Sequence, residues 1–299
     1  MTPPPSTLFT TAPEWHWLIV GYFFVGGLAG GCYFLAVLID FMGTREDRAL
    51  ARMGYYVALP AIVVSGILLI LDLTRPERFW HMLLQSETWR PMFKYWSPMS
   101  VGSWALPAFG FFALLSFLAA LSEAGTLRRP ALTALRPPRP LGSVVAVLGG
   151  LLGFYVAGYT GVLLAVTNRP IWSDTPLLGP LFVVSAASIS AALLILLGAG
   201  RGLGVPGLAA LERFDAWVIG LELLVLIALM ISLGGLFRFW LSPWGVLLVA
   251  VVIFGMALPL LFRRRPGAFG GREASISAGL VLIAGFLLRV VIVFSSEAL

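Results

Sequence analysis

Charged residues in this 299-residue chain are confined to short clusters, and between the clusters run long, uninterrupted apolar stretches. A hydrocarbon core about 30 Å thick is crossed by about 20 apolar residues of helix. These stretches therefore leave little choice of fold: each is a membrane-spanning helix, because a backbone surrounded by lipid must satisfy its own hydrogen bonds. The stretches lack the polar/apolar alternation of a membrane β-barrel. Only 11% of the residues are charged and 59% are hydrophobic, against about 25% charged in a soluble domain. A soluble globular enzyme is excluded, and the class is all-α, a polytopic membrane protein.

We place eight spans at residues 15–41, 49–72, 98–123, 141–167, 175–199, 213–236, 242–262 and 273–296. Eight crossings return both termini to one side, face A, opposite face B. Connections on face B hold Arg45, Arg48, Arg52, Arg128, Arg129, Arg136, Arg139, Arg201, Arg213, Arg263, Arg264, Arg265 and Arg272. Face A holds Arg75, Arg78, Arg90, Lys94, Arg169 and Arg238, and Arg289 lies inside the last span. With 13 of 20 basic residues, face B is expected to be cytoplasmic and both termini exterior. The net charge of +6 follows from these helix-end residues, so nucleic acid is not an expected partner. The first span lacks the basic leader of a signal peptide and is too long for one, so it is expected to be retained.

On face B, Arg136-Pro137-Pro138-Arg139-Pro140 cannot be helical. It reads as a stiff linker between two four-helix halves, residues 15–167 and 175–296, although no sequence repeat relates them. The face-A connection 73–97 is the longest and is rich in Trp, Arg and Pro. Such a loop is expected to be ordered and to dock a partner.

Polar groups at membrane depth are costly and so point to function. Span 1 opens with Glu14-Trp15-His16-Trp17, and Tyr22 lies about one turn deeper. Span 2 ends in Asp72-Leu73-Thr74-Arg75-Pro76-Glu77-Arg78-Phe79-Trp80-His81, and span 4 ends in Tyr159-Thr160-Gly161 before Asn168-Arg169-Pro170-Ile171-Trp172. Singly, these residues suit an aromatic belt, a solvated helix stop and a packing tyrosine. Together Tyr22, Asp72 and Tyr159 bring polar groups from three spans to the same leaflet, which suggests a shared pocket. The run Gly26-Gly27-Leu28-Ala29-Gly30-Gly31 suits close helix packing, or room for a flat ligand. Asp40, Glu222 and Arg289 lie deeper, and their burial suits either proton handling or helix pairing.

The absences narrow the chemistry. Cys32 is the single cysteine, too few to hold an iron-sulfur cluster or a covalently attached haem. The two histidines, His16 and His81, both lie near face A and cannot ligate a transmembrane haem pair. No Walker A, HExxH or GxSxG motif occurs. Neither haem nor a metal held by this chain is expected.

The chain resembles the polysulfide-reductase membrane-subunit family, also called NrfD or PsrC. The resemblance rests on Trp15-His16-Trp17 with the following glycine run, Asp72-Leu73-x-Arg75-Pro76-x-Arg78-Phe79, Tyr159-Thr160-Gly161 and Asn168-Arg169-Pro170-x-Trp172. It implies a haem-free anchor of a respiratory complex in a bacterial cytoplasmic membrane. The ligand implied is a quinone, menaquinone or ubiquinone, near face A. An iron-sulfur subunit, joined to a molybdopterin enzyme, is the implied partner. The residues implied for the quinone are His16, Tyr22, Asp72, Arg75 and Tyr159, with Tyr159 polarising a carbonyl. Some relatives have an asparagine early in span 1, where this chain reads Leu18-Ile19-Val20; its hydrogen bond then falls to Tyr22 or His16. Docking is expected of Arg78, Trp80, Trp89, Arg90, Trp96, Arg169 and Trp172, and a proton route of Asp40, Glu222 and Arg289. Two alternatives are a secondary transporter or proton channel built on Glu222 and Arg289, and a purely structural anchor.

Overall fold

A computed structural model describes residues 15–263 and 272–297; Glu14, Arg264 and Arg265, named above, lie outside the described residues. Among the described residues, eight helices are long and apolar enough to cross a membrane. They are α1 (Trp17–Met42), α2 (Arg48–Asp72), α3 (Pro98–Glu123), α4 (Pro140–Ala165), α5 (Leu178–Gly200), α6 (Pro206–Ser232), α7 (Pro243–Arg263) and α8 (Glu273–Glu297). Helices α3, α4, α6 and α7 each open on proline, whose fixed φ suits the first helical turn and whose missing N–H has no partner there to lose. Helix α6 starts at Pro206, not near residue 213. The charges of Glu212, Arg213 and Asp215 argue for a later start, but Asp215 is buried and paired with Arg263 of α7.

Helix α1 is the hub, packed on α2, α4, α5 and α8. Its glycine run is consumed by that packing. A Cβ on Gly30 would strike the backbone of Gly153 in α4, and one on Gly31 would strike Ser190 in α5. The helices approach backbone to backbone there, as small residues allow, and no flat ligand fits between them. In α7 the helix widens to a π turn at Ile253–Ala257, where the Leu258 N–H bonds the Ile253 carbonyl. The widening directly precedes Pro259, which has no N–H to give its own turn.

The proline-rich segment corrects one expectation. It joins α3 to α4 and so lies within the first four helices; the connection between the fourth and fifth is 166–177. Nor is it a spacer, because Arg136 is buried (2% exposed). Its guanidinium pairs with Asp40 at 2.8 Å and Glu123 at 2.9 Å and lies over the Tyr55 ring. The Tyr55 hydroxyl donates to the same Asp40 carboxylate, and Arg48 adds a second pair to Glu123.

On the same face, Asp47 ties the α1–α2 turn to the start of α6. Its carboxylate accepts from the Thr44 N–H and hydroxyl at 2.8 and 2.9 Å and from the Gly207 N–H at 2.6 Å, one of the free donors at the α6 N-terminus. Burial alone would raise its pKa, but these hydrogen bonds outweigh it and hold the carboxyl below its ordinary value. A lowered folded-state pKa stabilises above the unfolded value, and that contribution is lost as pH falls through the folded one. Asp47→Ala should therefore lose about 1–2 kcal/mol at neutral pH. In detergent unfolding titrations, its deficit against the parent should shrink below about pH 4.

Candidate functional site

Between the face-A halves of α1, α2, α3 and α4 lies a cavity of about 510 Å³, a volume suited to an organic ligand. Tyr22 of α1, Asp72 of α2 and Tyr159 of α4 all line it; the three residues that converge in the sequence converge in space. Tyr22 is wholly buried and its hydroxyl has no hydrogen-bond partner. An unpaired buried hydroxyl costs about 1–3 kcal/mol, a cost that an acceptor reaching it would relieve. Tyr159 faces the same cavity from α4. Its ring stacks on Tyr155 at 5.8 Å and fills the space that a side chain at Gly102 of α3 would need.

Trp15, Phe79, Met82 and Leu83 close the cavity toward face A. The last three belong to the long loop, which is ordered: Pro76–Met82 forms a 3-10 turn, and Met92 N–H bonds the Leu83 carbonyl at 2.8 Å. His16 and Arg75 are exposed and are not among the lining residues.

The docking residues divide. Arg78, Trp89, Arg90 and Trp96 are exposed or partly so, and Trp80 stacks flat on Trp89 at 5.3 Å. Arg169 and Trp172 are corrected: both are buried and hold the α4–α5 connection to the end of α8. Trp172 Nε1 donates to the Ile292 carbonyl at 2.8 Å, and Arg169 donates to the Ser296 carbonyl at 3.0 Å. Neither is offered to a partner. Trp172 instead packs behind Trp15, ring centroids 5.0 Å apart.

The deeper charges form two separate groups. Asp40 belongs to the Arg136 cluster, away from Glu222 and Arg289. Glu222 and Arg289 meet at Ser185 of α5, which accepts from Arg289 at 3.1 Å and faces the Glu222 carboxylate. Arg289 also donates to the carbonyl of Phe23, the neighbour of Tyr22. Toward face B, Asp215 accepts from Ser188 at 3.1 Å and pairs with Arg263. Beside Glu222 and the π turn is a cavity of about 10 Å³, room for about one water.

The sequence matches the family model described as Polysulphide reductase, NrfD, over residues 9–298. The chain belongs to this NrfD family. It is 30% identical to the C component of the polysulfide reductase of Wolinella succinogenes, over 92% of this sequence and 93% of that one. It is 26% identical to Protein NrfD of Escherichia coli, over 95% of each. A shorter match, 24% over 36% of this sequence and 22% of the other, is to the C component of the selenate reductase of Mesobacillus selenatarsenatis. Sequence reasoning on this NrfD-family protein missed Asp215, Ser185 and Ser188, which link its deep charges, and Gly66, Ser103 and Gly110, which shape its cavity. The serines give no signal in an apolar helix. Asp215 gives one, but it stands too near an expected helix end to be read as buried.

Proposed function

We propose that this chain is a quinone-binding membrane anchor of a reductase complex, with the quinone in the cavity between α1, α2, α3 and α4. The observation that carries the reading is the unpartnered Tyr22 hydroxyl, with Tyr159, on the wall of a mostly apolar cavity of about 510 Å³ that also carries Asp72 and Ser103. A bound quinone supplies a two-electron, two-proton couple. Tyr22 and Tyr159 would hold the quinone through their O–H groups, and donors of this kind moderate charge that develops on an acceptor oxygen. Asp72, at the face-A end of the cavity, exchanges protons with water, assisted by His16 and Arg75 at the surface. Electrons pass to or from an iron-sulfur partner docked on the Trp89, Arg90 and Trp96 side of the loop, attached in turn to a molybdopterin subunit. The relatives named for polysulfide and selenate reductases support this assignment.

On the same reading, face B is cytoplasmic and the quinone lies near the exterior of a bacterial cytoplasmic membrane. A proton inlet from face B would draw on two buried groups, Asp215 with Ser188 and Arg263, and Glu222 with Ser185 and Arg289. Tyr159→Phe tests the site. With the complex intact, quinone-linked turnover should fall about tenfold, the worth of one hydrogen bond made to the reacting oxygen. Unchanged turnover would remove Tyr159 from the site.

A further inference from the structure

We infer that Trp172 is a positioning residue: through Trp15 it holds the face-A mouth of the cavity in shape, and the end of α8 in turn holds Trp172. Trp172 itself lines no part of the cavity. For its consequence in turnover the inference rests on the quinone reading above. Trp15 lines the cavity but precedes α1, which begins at Trp17. Its ring lies edge-on to Phe23 at 5.7 Å and tilted against Trp172 at 5.0 Å. A side chain that stands outside the helix takes its position largely from packing, and here one support comes from a distant part of the chain.

That support is firmly anchored. Trp172 is wholly buried, and its Nε1 donates to the Ile292 carbonyl at 2.8 Å. One turn further along α8, the Ser296 hydroxyl donates to the Pro170 carbonyl at 2.6 Å, and the Ser296 carbonyl accepts from Arg169 at 3.0 Å. Residues four apart lie on one helix face, so a single face of α8 grips the segment 169–172. The Arg169 guanidinium also lies over the Trp172 ring, 5.6 Å from its centroid. Within this segment stands Ile171, buried, with φ at 69°. Left-handed backbone is costly for a β-branched residue and persists only where its surroundings over-determine it. The Asp174 carboxylate contributes, accepting from the Ile171 N–H at 2.9 Å. A plain connection between α4 and α5 gains nothing from that strain, whereas aiming an indole behind the cavity mouth does.

The test uses the full chain in lipid nanodiscs with the subunits that accompany it, and first reads the mouth without any quinone. Ser103, on the cavity wall, is replaced by cysteine; the natural Cys32 is buried and gives no background. A charged, water-soluble thiol reagent should label Ser103→Cys about tenfold faster when Trp172→Ala is added, because labelling follows the fraction of molecules whose mouth is open. Trp172→Phe keeps a ring but loses the Nε1 donor; it should give about threefold and serves if Trp172→Ala does not assemble. Trp15→Ala should speed labelling as much as Trp172→Ala, and combining the two should add less than about twofold, since Trp172 acts through Trp15. Unchanged labelling in both Trp172 variants, or additive effects in the double variant, would overturn the inference. In Trp172→Ala the KM for quinone should rise about fivefold with kcat within about twofold of the parent. Faster labelling with an unchanged KM would leave the positioning role standing and overturn the placement of the quinone in this cavity.

Discussion

Gly66→Phe should abolish quinone-linked turnover, by about 100-fold or more, while leaving the bundle folded. Gly66 lies on α2 at the level of Tyr22 and Tyr159, lines the cavity, and has nothing within 4 Å of the point where a Cβ would stand. A phenyl ring there enters the space that the quinone ring needs and displaces no protein atom near its root. The backbone tolerates the change, since a glycine inside a helix is less favourable than alanine by about 1 kcal/mol. Gly66→Ala supplies the control: stability equal or slightly higher, turnover close to the parent. The contrast separates loss of cavity volume from loss of the glycine. Turnover measured beside unfolding in detergent checks both arms.

Arg136→Met should be the most damaging single change to stability, about 3–5 kcal/mol. The guanidinium is the shared partner of Asp40 and Glu123, and Asp40 and Arg136 are each about fully buried, with side chains 1% and 2% exposed. Removing the arginine leaves a buried carboxylate with only the Tyr55 hydroxyl beside it. That penalty belongs to the stranded charge more than to the pair, so Asp40→Asn placed on the same chain should recover part of the loss. Detergent-induced unfolding of the two single variants and the double variant gives the coupling directly. An Arg136→Met protein as stable as the parent would mean that the cluster is solvated, contrary to its burial.

Some of this is legible in the sequence, and the reason is energetic. Tyr22, Asp72 and Tyr159 stand out because polar groups are scarce at that depth, and the three line one cavity. Helix ends are readable wherever a charge cluster coincides with the lipid boundary. They mislead in α6, where Asp215 is carried into the bundle by its pairing with Arg263. Arg136 reads as a surface charge contributing to the basic side, because composition counts a buried arginine and a solvated one alike. Arg169 and Trp172 look interfacial for the same reason, since Trp and Arg near a helix end suit either a partner or the end of a neighbouring helix. Gly66 and Gly110 are silent: a helical glycine equally serves close contact, as at Gly30, or empty space, and only the positions of neighbouring helices distinguish the two.

The most direct measurement is photolabelling of the intact complex with an azido-substituted quinone, followed by mapping of the labelled peptides. Labels should fall on α1, α2, α3 and α4 around Tyr22, Gly66, Ser103 and Tyr159, should be displaced by excess unlabelled quinone, and should vanish in Gly66→Phe. Displaceable labels confined to α5–α8, or persisting undiminished in Gly66→Phe, would contradict the placement of the quinone in this cavity.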